Sequence, residues 1–126
     1  MGLWATGPDA AALLEGLGLG LYSLMTDLAR VRAAEERSVR AAAADPTELV
    51  VAFLNELLLL SEREGFIGRA IEARTTGVPP TSVTATVRGE PFDPRRHPAR
   101  TEVKAVTLHR LRFDPVAGRA RVIVDI

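Results

Sequence analysis

The last two residues place two acidic groups side by side. Asp125 and Ile126 end the run Arg-Val-Ile-Val-Asp-Ile, so an aspartate side chain and a free main-chain carboxylate lie one residue apart. Two carboxylates this close repel each other, and hard divalent cations take oxygen ligands of this kind. On spacing alone, a solvated terminus beside an ordinary acidic residue is the preferred reading and a cation site the alternative. Lys104, between Val103 and Ala105, is either an ordinary exposed strand lysine or a point charge delivered from a rigid strand. Arg95, Arg96, His97 and Arg100 form one basic cluster in a Pro-bounded loop without interleaved aromatics. It reads as a solvated loop, with a phosphate or partner contact as the alternative. His97 is expected at the surface, and His109, mid-strand, is expected to be a satisfied structural histidine. Two lone histidines do not make a zinc site.

Other chemistries find little support. With no cysteine among 126 residues, a disulfide framework, a thiolate zinc site and a cysteine nucleophile are excluded. There is no Gly-x-Ser-x-Gly elbow, and Gly16-x-Gly18-x-Gly20 falls inside a leucine-rich helical pattern, away from any phosphate-binding turn. Sixteen basic residues balance sixteen acidic ones, so there is no whole-protein field to attract nucleic acid. Any RNA contact must be local or made through a partner. No secretory leader pattern opens the chain and no apolar run is long enough for a bilayer, which makes the cytosol the expected location.

The elements that must position these groups follow from periodicity. Asp9 is placed to cap a helix over Ala10 to about Leu28, with Leu13, Leu17, Leu21, Leu24 and Leu28 in one stripe. Its three glycines each cost about 1 kcal/mol relative to alanine, which predicts the close approach of another backbone. Asp45-Pro46-Thr47-Glu48 starts a second helix reaching Glu64, with Gly65 as its stop. Strands are expected at Arg37–Ala41, Phe66–Arg74 and Ser82–Arg88, followed by a long irregular loop from Gly89 to Thr101. Gly2–Thr6 reads as the end of a strand cut off at its beginning. Glu102 to Ile126 reads as a β-hairpin with a loop of about five residues. The expected fold is a single α+β domain, two helices on one face of a mostly antiparallel sheet of about six strands.

Gly89-Glu90-Pro91-Phe92-Asp93, then His97, then Glu102-Val103-Lys104-Ala105-Val106-Thr107-Leu108-His109 resemble the signature of the archease family. The terminal Val-Ile-Val-Asp-Ile is similar to that family's end. Leu21-Tyr22-Ser23-Leu24-Met25-Thr26-Asp27 and Leu54-Asn55-Glu56-Leu57-Leu58 match its two helices. The resemblance covers practically the whole chain. It implies a protein, itself no enzyme, that activates RtcB-type RNA ligases in tRNA splicing and RNA repair by promoting guanylylation of the ligase histidine and repeated turnover. It also implies a divalent cation, calcium first and magnesium or manganese as alternatives, with Asp125 and the Ile126 carboxylate as ligands. Lys104 matches the family's functionally implicated lysine. RNA and guanine nucleotide would be met only through the ligase, and no membrane is involved.

In one respect the chain departs from the pattern. The family's His-Thr-Ala-Asp motif would fall immediately before Met1, which stands where the family has a small aliphatic residue. The first strand and a third carboxylate are therefore expected to be missing, as a start assigned at an internal GTG valine would produce. A general chaperone or interaction module with a structural metal is the alternative function. A stand-alone hydrolase comes third, for want of a nucleophile and base.

Overall fold

The two aspartates set both helices. In the computed structural model, which describes residues 1–126, the Asp9 carboxylate accepts a hydrogen bond from the Ala12 N–H at 2.8 Å, and helix α1 runs Ala10–Met25. Asp45 accepts from the Glu48 N–H at 3.0 Å. Helix α2 runs Pro46–Glu64 and ends on Gly65, whose φ of 63° is left-handed, the conformation glycine adopts without strain. α1 stops before Leu28, earlier than its leucine stripe suggests. Thr26 leaves the helix with an extended backbone, is fully buried, and donates its hydroxyl to the Pro98 carbonyl at 2.9 Å. Asp27 then caps a separate 3-10 turn over Leu28–Arg30.

Six strands follow the alternating runs: β1 Gly2–Thr6, β2 Glu35–Ala42, β3 Phe66–Thr76, β4 Ser82–Pro91, β5 Ala105–Asp114 and β6 Arg119–Asp125. All pairings are antiparallel. Gly2–Thr6, read as a strand remnant, pairs along its whole length with β6. The single sheet of about six strands divides into two three-stranded sheets, ordered β1-β6-β5 and β2-β4-β3. The reason lies in the hairpins. β3–β4 and β5–β6 pair locally, and the second strand of each hairpin recruits one strand from the first half of the chain.

Both sheets and both helices share one core. Leu13, Leu14, Leu17 and Leu21 of α1 and Leu49, Val50, Phe53, Leu54 and Leu57 of α2 are completely buried, against Leu3, Val122 and Val124 of one sheet and Val83, Ala85 and Val87 of the other. Each large apolar side chain stabilises the fold by about 2 kcal/mol, which accounts for the α2 stripe without a cofactor. The glycine stripe of α1 does admit close neighbours, but these are mainly side chains. A Cβ at Gly18 would lie 2.6 Å from Ile71 Cδ1 and 2.9 Å from Leu57 Cδ1, and one at Gly16 would lie 3.0 Å from the Ala5 Cβ. No helix is long and apolar enough to cross a membrane.

Candidate functional site

β6 is the middle strand of its sheet, so its end is held from both sides. The Val124 N–H donates to the Met1 carbonyl at 2.8 Å, and the Lys104 N–H donates to the Asp125 carbonyl at 2.7 Å. Ala105 is the register partner of Asp125. Lys104, Asp125 and Ile126 therefore meet at one corner of a sheet, all three exposed. Neither charged side chain enters an ion pair. Lys104 also lines an open groove of about 440 Å³ with Met25, Leu58, Glu62, Thr101 and Glu102.

An irregularity in β5 produces this meeting. Near the turn, Arg112 faces Arg121; beyond the irregularity, Thr107 faces Ile123. Continued straight from Arg112, the ladder would set Leu108 opposite Asp125 and carry Lys104 past the end of β6. The residues inserted between Thr107 and Arg112 bring Ala105 there instead, and Lys104 with it. Arg110 adopts a φ of 54° in this bulge, a left-handed conformation uncommon outside glycine. Its carbonyl accepts from Arg121 Nε at 3.2 Å. His109 sits in the same bulge as an exposed residue, not as the satisfied strand histidine expected, because the bulge takes it out of the ladder.

The cation implied by the family resemblance can be tested against these donors. Asp125 and the terminal carboxylate of Ile126 supply hard oxygens, the right type for calcium, magnesium or manganese. Calcium takes six to eight such ligands, and nowhere in this chain do three or more His, Cys, Asp or Glu residues converge. The residues present fit such an ion by donor type and fall short by number.

A second cluster was not foreseen. His97, expected on the surface, is completely buried. Its Nδ1 accepts the Asp93 N–H at 2.8 Å, which leaves the ring proton on Nε2, 2.9 Å from Glu90 Oε2. Glu90 also accepts from the Arg32 N–H at 2.8 Å and from the Arg96 guanidinium at 2.5 Å. Burial pushes the Glu90 carboxyl up, but the bonds from Arg96, Arg32 and His97 and the charge of Arg96 outweigh it and hold it down at about 2. The reading of Gly89–Thr101 as one irregular loop hid this arrangement. β4 continues through Glu90 to Pro91, which turns the carboxylate inward. The histidine four residues after Asp93, closing the loop onto that residue's N–H, was the available signal.

The chain matches the Archease protein family (MTH1598/TM1083) over residues 1–126. It is 35% identical to a protein archease of Methanopyrus kandleri over 98% of this chain and 89% of that one. It is 34% identical to a protein archease of Methanothermobacter thermautotrophicus, over 99% and 91%. The solution structure of Methanobacterium thermoautotrophicum protein 1598 superposes with a TM-score of 0.76 at 32% identity, over 99% of this chain and 91% of that one. The Glu90–His97 loop, the Lys104 block and the terminal Asp125-Ile126 thus sit on a fold shared along the whole length, and the chain belongs to the archease family.

Proposed function

We propose that this protein is a non-catalytic activator of an RtcB-type RNA ligase, acting in the cytoplasm in tRNA splicing or RNA repair. It promotes guanylylation of the ligase and its return to further turnovers. The working surface is the corner formed by Lys104, Asp125 and Ile126. The observation that carries the reading is the bond from the Lys104 N–H to the Asp125 carbonyl, which fixes an unpaired lysine beside two carboxylates on a rigid strand end.

Each residue has a distinct task. Lys104 presents an exposed ammonium group from a backbone held at the strand end, where it stabilises charge developing on a phosphate. Asp125 and the Ile126 carboxylate would hold a divalent cation, calcium first and magnesium or manganese next, with its remaining ligands drawn from water or the partner. Bound there, the cation supplies further positive charge for phosphate oxygens. Guanine nucleotide and the RNA ends being joined are met through the ligase.

Multiple-turnover RNA ligation with the native chain, Lys104→Ala and Asp125→Ala tests the reading. Both variants should fold normally and lose stimulation. Full stimulation by both would refute it. Rescue of unrelated aggregating proteins without any effect on guanylylation would favour a general chaperone.

A further inference from the structure

On a chain of zero net charge, four arginines line a single concavity of about 270 Å³. They are Arg30, Arg32, Arg95 and Arg96, with no apolar residue among them. Arg30 ends the 3-10 turn after α1 and Arg32 lies just beyond it, whereas Arg95 and Arg96 come from the loop between β4 and β5. Like charges repel, so two segments this far apart in sequence need something to hold them together. The buried Glu90 does this. Its Oε2 accepts the Arg32 N–H and its Oε1 accepts the Arg96 guanidinium, so one carboxylate joins both walls. His97 donates to Oε2 from behind.

Glu90 is thereby occupied, and the charge it neutralises is that of Arg96. Asp93, the other nearby acid, accepts the Arg95 N–H and contacts Arg96 at 3.6 Å. The guanidinium groups of Arg30, Arg32 and Arg95 enter no ion pair. Three unneutralised forks in one depression match phosphate oxygens, which guanidinium binds in bidentate fashion.

We infer that the concavity lined by Arg30, Arg32, Arg95 and Arg96 is a binding site for the phosphodiester backbone of a polynucleotide. The lining decides between possible polyanions. A protein partner would need an apolar or aromatic centre to its interface, and stacking of successive bases uses an aromatic platform. This site has neither, so it holds phosphates without reading sequence.

The test needs no ligase, so its outcome is separate from that of the proposed function. Anisotropy of a labelled oligouridylate is titrated with the chain alone across a range of salt, for the native protein and for the triple variant Arg30→Gln/Arg32→Gln/Arg95→Gln. Three contacts at about 0.7 each predict a slope of log affinity on log salt of about −2 for the native chain. The triple variant should have a slope close to zero with an unchanged melting curve. Oligoadenylate and an oligodeoxynucleotide should bind like oligouridylate. Equal binding by the triple variant would overturn the assignment and move attention to Trp4, Arg112, Arg119 and Arg121 on the outer face of the other sheet. Competition by polyglutamate at matched charge as strong as that of the polynucleotide would also overturn it, in favour of an acidic protein surface.

Discussion

Replacing Glu90 with glutamine should expose how much of the fold rests on one buried carboxylate. The residue is 6% exposed and accepts from Arg96, the Arg32 N–H and His97. Glutamine keeps the shape, removes the charge, and turns an NH2 group toward at least one of these donors. Removing one partner of a buried ion pair costs about 3–5 kcal/mol. Arg96 retains 36% side-chain exposure, so part of its charge is rehydrated and a loss of about 2–3 kcal/mol follows. The pH dependence gives a second route to the magnitude. The carboxyl is held below its ordinary value of 4.5, at about 2, and at about 1.4 kcal/mol per unit this sets a ceiling of about 3.5 kcal/mol. Because the folded value is the lower one, the stabilisation is present above 4.5 and is lost as pH falls from there toward 2. Urea unfolding followed by circular dichroism, for the native chain and Glu90→Gln at stepped pH, should show the full gap at neutral pH and a narrowing gap in acid. A gap under about 0.5 kcal/mol at neutral pH, within the range of ordinary surface changes, would refute the reasoning. So would a gap that stays constant into acid.

Two further substitutions test the packing. The Tyr22 hydroxyl is buried beside Ser61, whose own hydroxyl donates to the Phe66 carbonyl, and makes no well-formed hydrogen bond; burial raises its pKa well above the usual phenol range, with Ser61 opposing, so Tyr22→Phe should change urea stability by no more than about 1 kcal/mol in either direction, and a larger loss would reveal a firm bond to Ser61. A Cβ at Gly89 would collide with the Ile67 carbonyl oxygen and lie 2.8 Å from the Gly68 Cα, both backbone of β3. Gly89→Ala should cost about 3 kcal/mol or more, and an unchanged melting temperature would show that β3 and β4 lie further apart at this point.

What could be read in advance was local. The Asp9 and Asp45 caps, the leucine stripes, Gly65 and the alternating runs all depend on neighbours a few residues away, and they lie where the pattern places them except at Leu28, which falls past the end of α1. What was missed depends on pairing at a distance. Nothing in the alternating runs says that each hairpin collects one earlier strand, so one six-stranded sheet was expected in place of two of three. His97 was misjudged because a Pro-rich, arginine-rich loop looks solvated, whereas Glu90, still on β4, pulls it inside. At the terminal corner, Lys104, Asp125 and Ile126 were recognisable as candidates. Their meeting was not, because it needs the bulge around Arg110 to shift the β5 register.

The claim that the end of β6 is the working surface is tested most directly by moving its free carboxylate. A chain carrying one additional glycine after Ile126 keeps every side chain and the Lys104–Asp125 backbone bond, but displaces the terminal charge by one residue. The rate of guanylylation of an RtcB-type ligase, measured with native and extended chains of equal melting temperature, should be stimulated by the first and not by the second. Equal stimulation by the two would contradict the account.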